Sequence, residues 1–325
     1  MQRRSFCLGG GAVAMGALLP GRAGAEDWPA RPIRLIVPFP AGGGTDAISR
    51  QLAERLTGAT GWAIAIENRA GAGGNIGLEA VAKAAPDGHT IGMGQAANLA
   101  INPSLYPRMP YDPLKDFALI SLVATQALVA VVSANSPYRS LGDLIMAARA
   151  KPGTVTIAHT GNGTVGHLAG EVFARQAGIK VLIVPYKGAA QVVTDILGGQ
   201  VDLLFGNPLA VMPMASAGLL HPIAVTSLRR LPALPEVPTV EEAGYRGFEA
   251  TNWSGLVAPA KTPAAIVARL NAAVNAALRQ PEMVEKLAID SSEPVPSSPE
   301  RFAEFLRAEH AKWGNLIRDA GIRLE

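Results

Sequence analysis

Ile33-Arg34-Leu35-Ile36-Val37-Pro38-Phe39-Pro40-Ala41-Gly42-Gly43-Gly44-Thr45-Asp46-Ala47-Ile48 decides the reading of the fold. The apolar, β-branched run Ile33 to Phe39 reads as a strand. Ala41-Gly42-Gly43-Gly44 cannot continue it, and Thr45 or Asp46 can cap a helix whose apolar face includes Ile48, Leu52 and Leu56. A strand that turns on glycines straight into a helix is the opening of an α/β unit.

The same unit recurs downstream. Ala63 to Glu67 reads as a strand, Gly71-Ala72-Gly73-Gly74 as a turn, Ile76 to Ala84 as a helix closed by Pro86-Asp87-Gly88, and Thr90 to Gly94 as a further strand. The alternation predicts a mainly parallel sheet covered by helices. Ala118 to Val132 is long, apolar and β-branched, as expected of a strand that leaves one lobe and enters a second. The scheme then restarts with a helix at Leu141 to Ala150, a strand at Val155 to Ala158, a turn at Thr160-Gly161-Asn162-Gly163-Thr164 and a helix at Val165 to Gln176. Lys180 to Tyr186, Asp202 to Phe205 and Ile223 to Thr226 read as strands, and Ala189 to Leu197 as a helix. Leu231 to Pro238 is irregular, Ala250 to Val257 is expected to return to the first lobe, and helices dominate from Pro263 to Ala320.

This gives an α/β chain of two lobes, with two hinge-crossing strands and a cleft between the lobes. Lobe 1 is expected to hold residues 26–125 and 251–325, and lobe 2 residues 126–250. Crossings near 125 and 250 let both glycine loops face one cleft.

Residues 1–25 differ from the rest. Arg3 and Arg4 precede an apolar run from Phe6 to Leu19, followed by Pro20 and the small-residue exit Ala23-Gly24-Ala25. That order is expected of an export signal cleaved near Ala25, which places the mature protein in the periplasm. Arg-Arg-Ser-Phe at positions 3 to 6 also resembles a twin-arginine signal, so the export route stays open. Cys7, the single cysteine, precedes the apolar run, where a lipid-attachment cysteine would follow it. The formal net charge of +3 comes from 29 Lys+Arg against 26 Asp+Glu, and the signal carries Arg3, Arg4 and Arg22 with no acid. A mature chain neutral in formal charge gives no footing for nucleic acid or for anionic lipid.

The chemistry rests on the two loops. A glycine loop at a helix start leaves main-chain N–H groups unpaired, and the helix dipole adds about half a positive charge there. Pro40 to Asp46 and Thr160 to His167 have this form with no basic residue other than His167, which points to a small anion held by amides and hydroxyls. The same turns can also do no more than reverse the chain. Gly161, Gly163 and Gly166 match the dinucleotide fingerprint, but the next strand ends Pro185-Tyr186-Lys187, with no acid for a ribose. Gly-x-Ser-x-Gly and His-Glu-x-x-His are absent, and the five His residues are scattered singly. Neither an enzyme, a cofactor nor a metal is expected.

Arg31 to Asp46, Glu67-Asn68-Arg69-Ala70-Gly71-Ala72-Gly73-Gly74-Asn75-Ile76-Gly77, Ala85-Pro86-Asp87-Gly88 and Ile101-Asn102-Pro103-Ser104-Leu105-Tyr106 together resemble the Bug family, the periplasmic receptors of tripartite tricarboxylate transporters. Val184-Pro185-Tyr186-Lys187-Gly188 and Gly198-Gly199-Gln200-Val201-Asp202 continue the likeness. The resemblance implies an α/β two-lobed periplasmic-binding-protein fold of type II-like form, a receptor whose glycine loops hold a ligand carboxylate, partly through water, and which delivers it to membrane transporter subunits. Family ligands include dicarboxylates, acidic amino acids, citrate-like acids and aromatic acids such as nicotinate.

Carried over by residue, the ligand-binding set is Gly42, Gly43, Gly44, Thr45 and Asp46 in the first loop and Thr160, Gly161, Asn162, Gly163 and Thr164 in the second. Pro40, Ala41, Asn98, His167, Lys187 and Asn207 complete the candidates, with Gly206 at a position frequently Asp in the family. Each has a plainer reading. Asp46 and Thr164 are natural helix caps, Asn162 can supply a positive φ, His167 can be structural, Lys187 can be solvated, and Trp253 can be core rather than an apolar wall. The expected partners are a small carboxylate and transporter subunits, with no nucleic acid and a monomeric state. A ligand-sensing subunit for a signalling system is the alternative, and an exported cofactor-dependent enzyme a more distant one.

Overall fold

The computed structural model describes residues 28–186, 188–289 and 291–322. The expected export signal lies outside them, as does Lys187. The chain runs β1 (Ile33–Val37), α1 (Gly44–Thr60), β2 (Ile64–Asn68), α2 (Asn75–Ala82) and β3 (Thr90–Gln95). A π-helical turn at Ala97–Ile101 leads into α3 (Asn102–Leu105) and then the long β4 (Phe117–Ala127). After one residue, Leu128, β5 (Val129–Ser133) begins, followed by α4 (Leu141–Ala150), β6 (Thr156–His159), α5 (Val165–Ala177), β7 (Leu182–Pro185) and α6 (Ala189–Leu197). The order continues β8 (Leu203–Gly206), α7 (Pro208–Ser216), β9 (Leu220–Val225), β10 (Thr251–Pro259), α8 (Ala264–Leu278), α9 (Pro281–Ala288), β11 (Ser292–Pro294) and α10 (Pro299–Ala320).

These strands make two sheets. The first has the order β11-β4-β10-β3-β1-β2 and the second β7-β6-β8-β5-β9. In each, one edge is parallel as the βαβ units require, with β1 between β2 and β3, and β6 between β7 and β8. The strands carrying the chain between the halves enter antiparallel: β10 pairs with β3 and β4, and β5 with β8 and β9. The expected mainly parallel sheet is therefore mixed, because a crossing strand that returns to its own lobe has to run back along its neighbour.

Packing follows the sequence pattern. Ile33, Leu35 and Val37 of β1 are buried with Ile48, Leu52 and Leu56 of α1, the helical stripe pressed on the sheet face, and Leu270 and Val274 of α8 join them. Burying one such side chain contributes about 1.5–3 kcal/mol. Gly61, in the left-handed conformation, ends α1 by donating its N–H to the Thr57 carbonyl.

One residue ties both crossings. Buried Thr226, just past β9, donates its hydroxyl to the Ala250 carbonyl at 2.7 Å and accepts at the same oxygen from the Leu128 N–H at 2.8 Å. Its main-chain N–H donates to the Leu128 carbonyl at 3.0 Å, and its carbonyl accepts from the Ala250 N–H at 3.1 Å. Leu128 lies where the chain leaves the first sheet, and Ala250 immediately before it returns. Among the described residues no helix is long and apolar enough to cross a membrane.

Candidate functional site

The first glycine loop leaves β1 through Pro38, Phe39 and an exposed Pro40-Ala41-Gly42-Gly43 segment. The helix starts two residues earlier than Thr45 as cap would allow and three earlier than Asp46: Gly43 is the N-cap and has no side chain with which to cap. Asp46 sits in the first turn of α1 and braces the loop. Its Oδ2 accepts from the Gly42 N–H and the Arg50 Nε, and its Oδ1 from Asn68 Nδ2, each at 2.9 Å. Burial opposes its ionisation, but the hydrogen bonds from Arg50, Gly42 and Asn68 carry its carboxyl down to about 2. Both oxygens are thus engaged within the protein, where the carboxylate positions the loop.

The first helical bond of α1 is Ala47 N–H to the Gly43 carbonyl, at 2.9 Å. The N–H groups of Gly44, Thr45 and Asp46 precede that ladder and have no helical acceptor. Gly44 and Thr45 line a cavity of ≈ 130 Å³ together with Ile48, Gln95, Ala124, Gln126, Asn207, Asn252, Trp253 and Ser254. The cavity draws on α1, β3, β4 and β10 of the first sheet layer and, across the gap, on Asn207 of the second. Asn207 caps α7 by accepting from the Leu209 N–H at 3.3 Å, and a Cβ built on Gly44 would lie 3.8 Å from its Nδ2. Gln95 Nε2 donates to the Thr45 hydroxyl oxygen. Ser254 Oγ is buried and has no hydrogen-bond partner among the described residues. The polar side chains on this wall are all neutral, so the local positive potential comes from the helix end.

The second loop is wired differently. Thr164 is a true N-cap for α5: its hydroxyl oxygen accepts from the His167 N–H at 3.2 Å and its hydroxyl donates to the Gly161 carbonyl at 2.8 Å. The Gly161 N–H donates to His159 Nδ1 at 3.2 Å, and the Gly163 N–H to His167 Nδ1 at 3.3 Å. The two imidazoles lie 4.3 Å apart, centroid to centroid, and both are buried. Burial pushes each pKa down, and the neighbouring His159 adds to it for His167, which falls to about 4.

Positive φ in this turn is supplied by Gly161 and Gly163 rather than by the exposed Asn162. Gly163 packs on the first lobe, where a Cβ would lie 3.1 Å from Asn102 Oδ1 and from Leu105 Cδ1. None of Thr160, Gly161, Asn162, Gly163 and Thr164 lines the ≈ 130 Å³ cavity.

Other candidates separate in the same way. Asn98 is fully buried, and its Oδ1 accepts from the Gln95 N–H at 2.8 Å, so it supports the cavity wall from behind. Gly206 is buried, and a Cβ there would meet Val211 Cγ1 at 2.5 Å, so an acid at this position would not fit as the chain is packed. Trp253 is both core and cavity wall: its buried indole N–H donates to Glu309 Oε2 at 2.9 Å, and the residue also lines the cavity. Gln95, Gln126, Asn252 and Ser254 were absent from the sequence-derived set. The signal for Gln126 was there to read, as a lone amide inside the apolar run from Ala118 to Val132.

Two α/β layers joined by crossing strands, with a small polar cavity at a helix start between them, define a two-lobed solute-binding protein. The chain belongs to the family described as the tripartite tricarboxylate transporter family receptor, whose profile matches residues 48–322. It is 38% identical to the protein BugT of Bordetella pertussis over 302 residues, which span 93% of each chain. Among solved structures, R. palustris Rpa4515 with adipate superimposes with a TM-score of 0.85 at 37% identity, covering 92% of this chain and 100% of that one. The periplasmic binding protein BugD does so with a TM-score of 0.81 at 34% identity, covering 91% of this chain and 100% of that one.

Proposed function

We propose that this chain is a periplasmic receptor that captures a small carboxylate between its lobes and delivers it to the membrane subunits of a tripartite tricarboxylate-type transporter. The observation that carries the reading is the first turn of α1, whose Gly44 and Thr45 open on a cavity walled by neutral hydrogen-bond groups. Main-chain N–H groups at a helix start bind a carboxylate without a cationic side chain. Asn207 from the other lobe and Ser254 from β10 are placed to complete the contact as the lobes close. Adipate in a relative of the same fold supports a dicarboxylate, and the family's name supports the transporter partnership.

The wall also argues about charge. Among the described residues no acidic side chain lines the cavity, so an ammonium group entering it would be desolvated without a partner there. Acids without an amino group are therefore favoured over amino acids. In this reading residues 26–125 with 251–325 form one lobe and residues 126–250 the other, the working unit is a monomer, and the first 25 residues direct export.

A thermal-shift series with adipate, malate, nicotinate and glutamate tests this. A ligand at about 100 times its Kd stabilises the native state by about 2.7 kcal/mol, a rise of several degrees. We expect one of the dicarboxylates to give such a rise and glutamate to give none. A flat response to all four would refute carboxylate capture, and a response to glutamate alone would refute the charge argument.

A further inference from the structure

The cavity reading leaves two buried histidines unused, and their geometry is specific. His159 ends β6 and His167 lies in the first turn of α5, so they flank the second glycine loop. Each presents Nδ1 to a loop amide, from Gly161 in one case and Gly163 in the other. An imidazole accepts at Nδ1 only when it is neutral and carries its proton on Nε2. Among the described residues the carboxylate beside His167 is that of Glu171, whose Oε1 lies 3.8 Å from His167 Nε2, beyond hydrogen-bond reach. Tyr186, next to β6 across the sheet, turns its hydroxyl to Asp195 instead.

We infer that His159 and His167 are positioning residues that hold the Thr160–Thr164 loop in its ligand-receiving shape by accepting the Gly161 and Gly163 N–H groups. The inference rests on carboxylate capture as proposed above. It changes which atoms of the second loop are available, because the two glycine nitrogens are already spent within the protein. The exposed Asn162 and the part-exposed Thr160 are what remain to meet a solute entering from that side. The low pKa of both rings, set by their burial, is consistent with neutral acceptors across the ordinary pH range.

Asparagine and leucine variants separate this role from simple packing. Asn places an amide oxygen near the position of Nδ1 and cannot titrate, whereas Leu fills the apolar space and accepts nothing. Nitrogen-15 NMR of the ligand-free full chain first reads the tautomers and the Gly161 and Gly163 amide protons. We expect Nε2–H tautomers with midpoints well below 6.5, and slow exchange at both amides that is kept in His159→Asn and His167→Asn and lost in the Leu variants. Calorimetric titration with adipate then reads function: the Leu variants are expected to bind about tenfold more weakly, the loss of about one hydrogen bond's worth of loop order, and the Asn variants to match wild type.

Nδ1–H tautomers, or Leu variants with protected amides and wild-type binding, would overturn the assignment. If wild type fails to bind adipate while the NMR result holds, the capture reading fails for that acid and the histidine–loop geometry stands.

Discussion

Gly42–Gly44 and Gly161–Gly163 both carry the chain from a strand into a helix, yet they dispose of their main-chain nitrogens in opposite ways. In each, the side chain four residues on takes one glycine N–H: Asp46 for Gly42 and His167 for Gly163. The difference lies at the N-cap. Thr164 covers the His167 amide at the start of α5, and His159 takes the Gly161 amide as well. Gly43 has no side chain with which to cover anything, so the first turn of α1 stays open toward the cavity. A glycine loop thus keeps main-chain N–H groups free at its helix start only where the capping side chain is missing; where the cap is present, the same motif has only side chains to offer.

The sharpest way to break this comparison is Gly44→Leu. Gly44 is helical and a Cβ there has ordinary contact distance to Asn207, so the fold accepts the side chain, while the isobutyl group fills the space between the lobes. We expect loss of at least two charge-assisted hydrogen bonds to the carboxylate, weakening adipate binding by about 100-fold or more in calorimetry. The melting temperature without ligand should change little. Retained adipate binding would remove the first turn of α1 from the site.

Asp46→Asn tests the brace. The side chain is buried, and its pKa falls from the usual carboxylate value of 3.8 to about 2 on folding. A depressed carboxylate stabilises the fold above its unfolded pKa and loses that contribution as pH falls from about 4 through about 2. We expect Asn to cost about 2 kcal/mol at pH 7 in denaturant unfolding, and the wild-type excess over the variant to vanish below about pH 2. An excess that is constant with pH would mean the carboxylate's charge is not what holds Gly42 and Arg50.

Smallest in stability and most direct for the comparison is Gly43→Ser. Gly43 has extended backbone, φ −80 and ψ 168, and a Cβ would sit 3.6 Å from the Pro40 carbonyl, so serine fits. Its hydroxyl would convert the first loop to the wiring of the second. A gain of a few tenths of a kcal/mol in stability is expected from the new cap, together with weaker adipate binding as the hydroxyl competes for the same amides. Tighter binding would contradict the idea that an uncapped end is the reason for the site.

Much of this was legible beforehand because it is local. The strand–glycine–helix units read correctly from period and turn residues, as did the stripe Ile48, Leu52 and Leu56. The crossing strand was visible as a long apolar run, although its interruption at Leu128 was not, since Leu128 is as apolar as its neighbours. The two glycine loops were visible in their pattern, but the pattern did not tell that Gly44 lines the cavity while Gly161 and Gly163 do not. Gln95, Gln126, Asn252 and Ser254 were missed because strand polar residues acquire meaning only when β3, β4 and β10 are laid side by side. Asn98, a polar residue near a strand end, sits in the interior behind the wall, a position its local sequence does not distinguish from the wall itself. Helix α7, which presents Asn207 to the first lobe, escaped because Pro213 interrupts its helical signature.

The Thr226 contacts carry a mechanical corollary. Thr226, Leu128 and Ala250 all belong to residues 126–250, so these bonds clamp the two ends of that half to each other, at the points where the crossing strands leave it. Both straps to the other half are consequently moored at a single knot, and neither mooring shifts without disturbing the other.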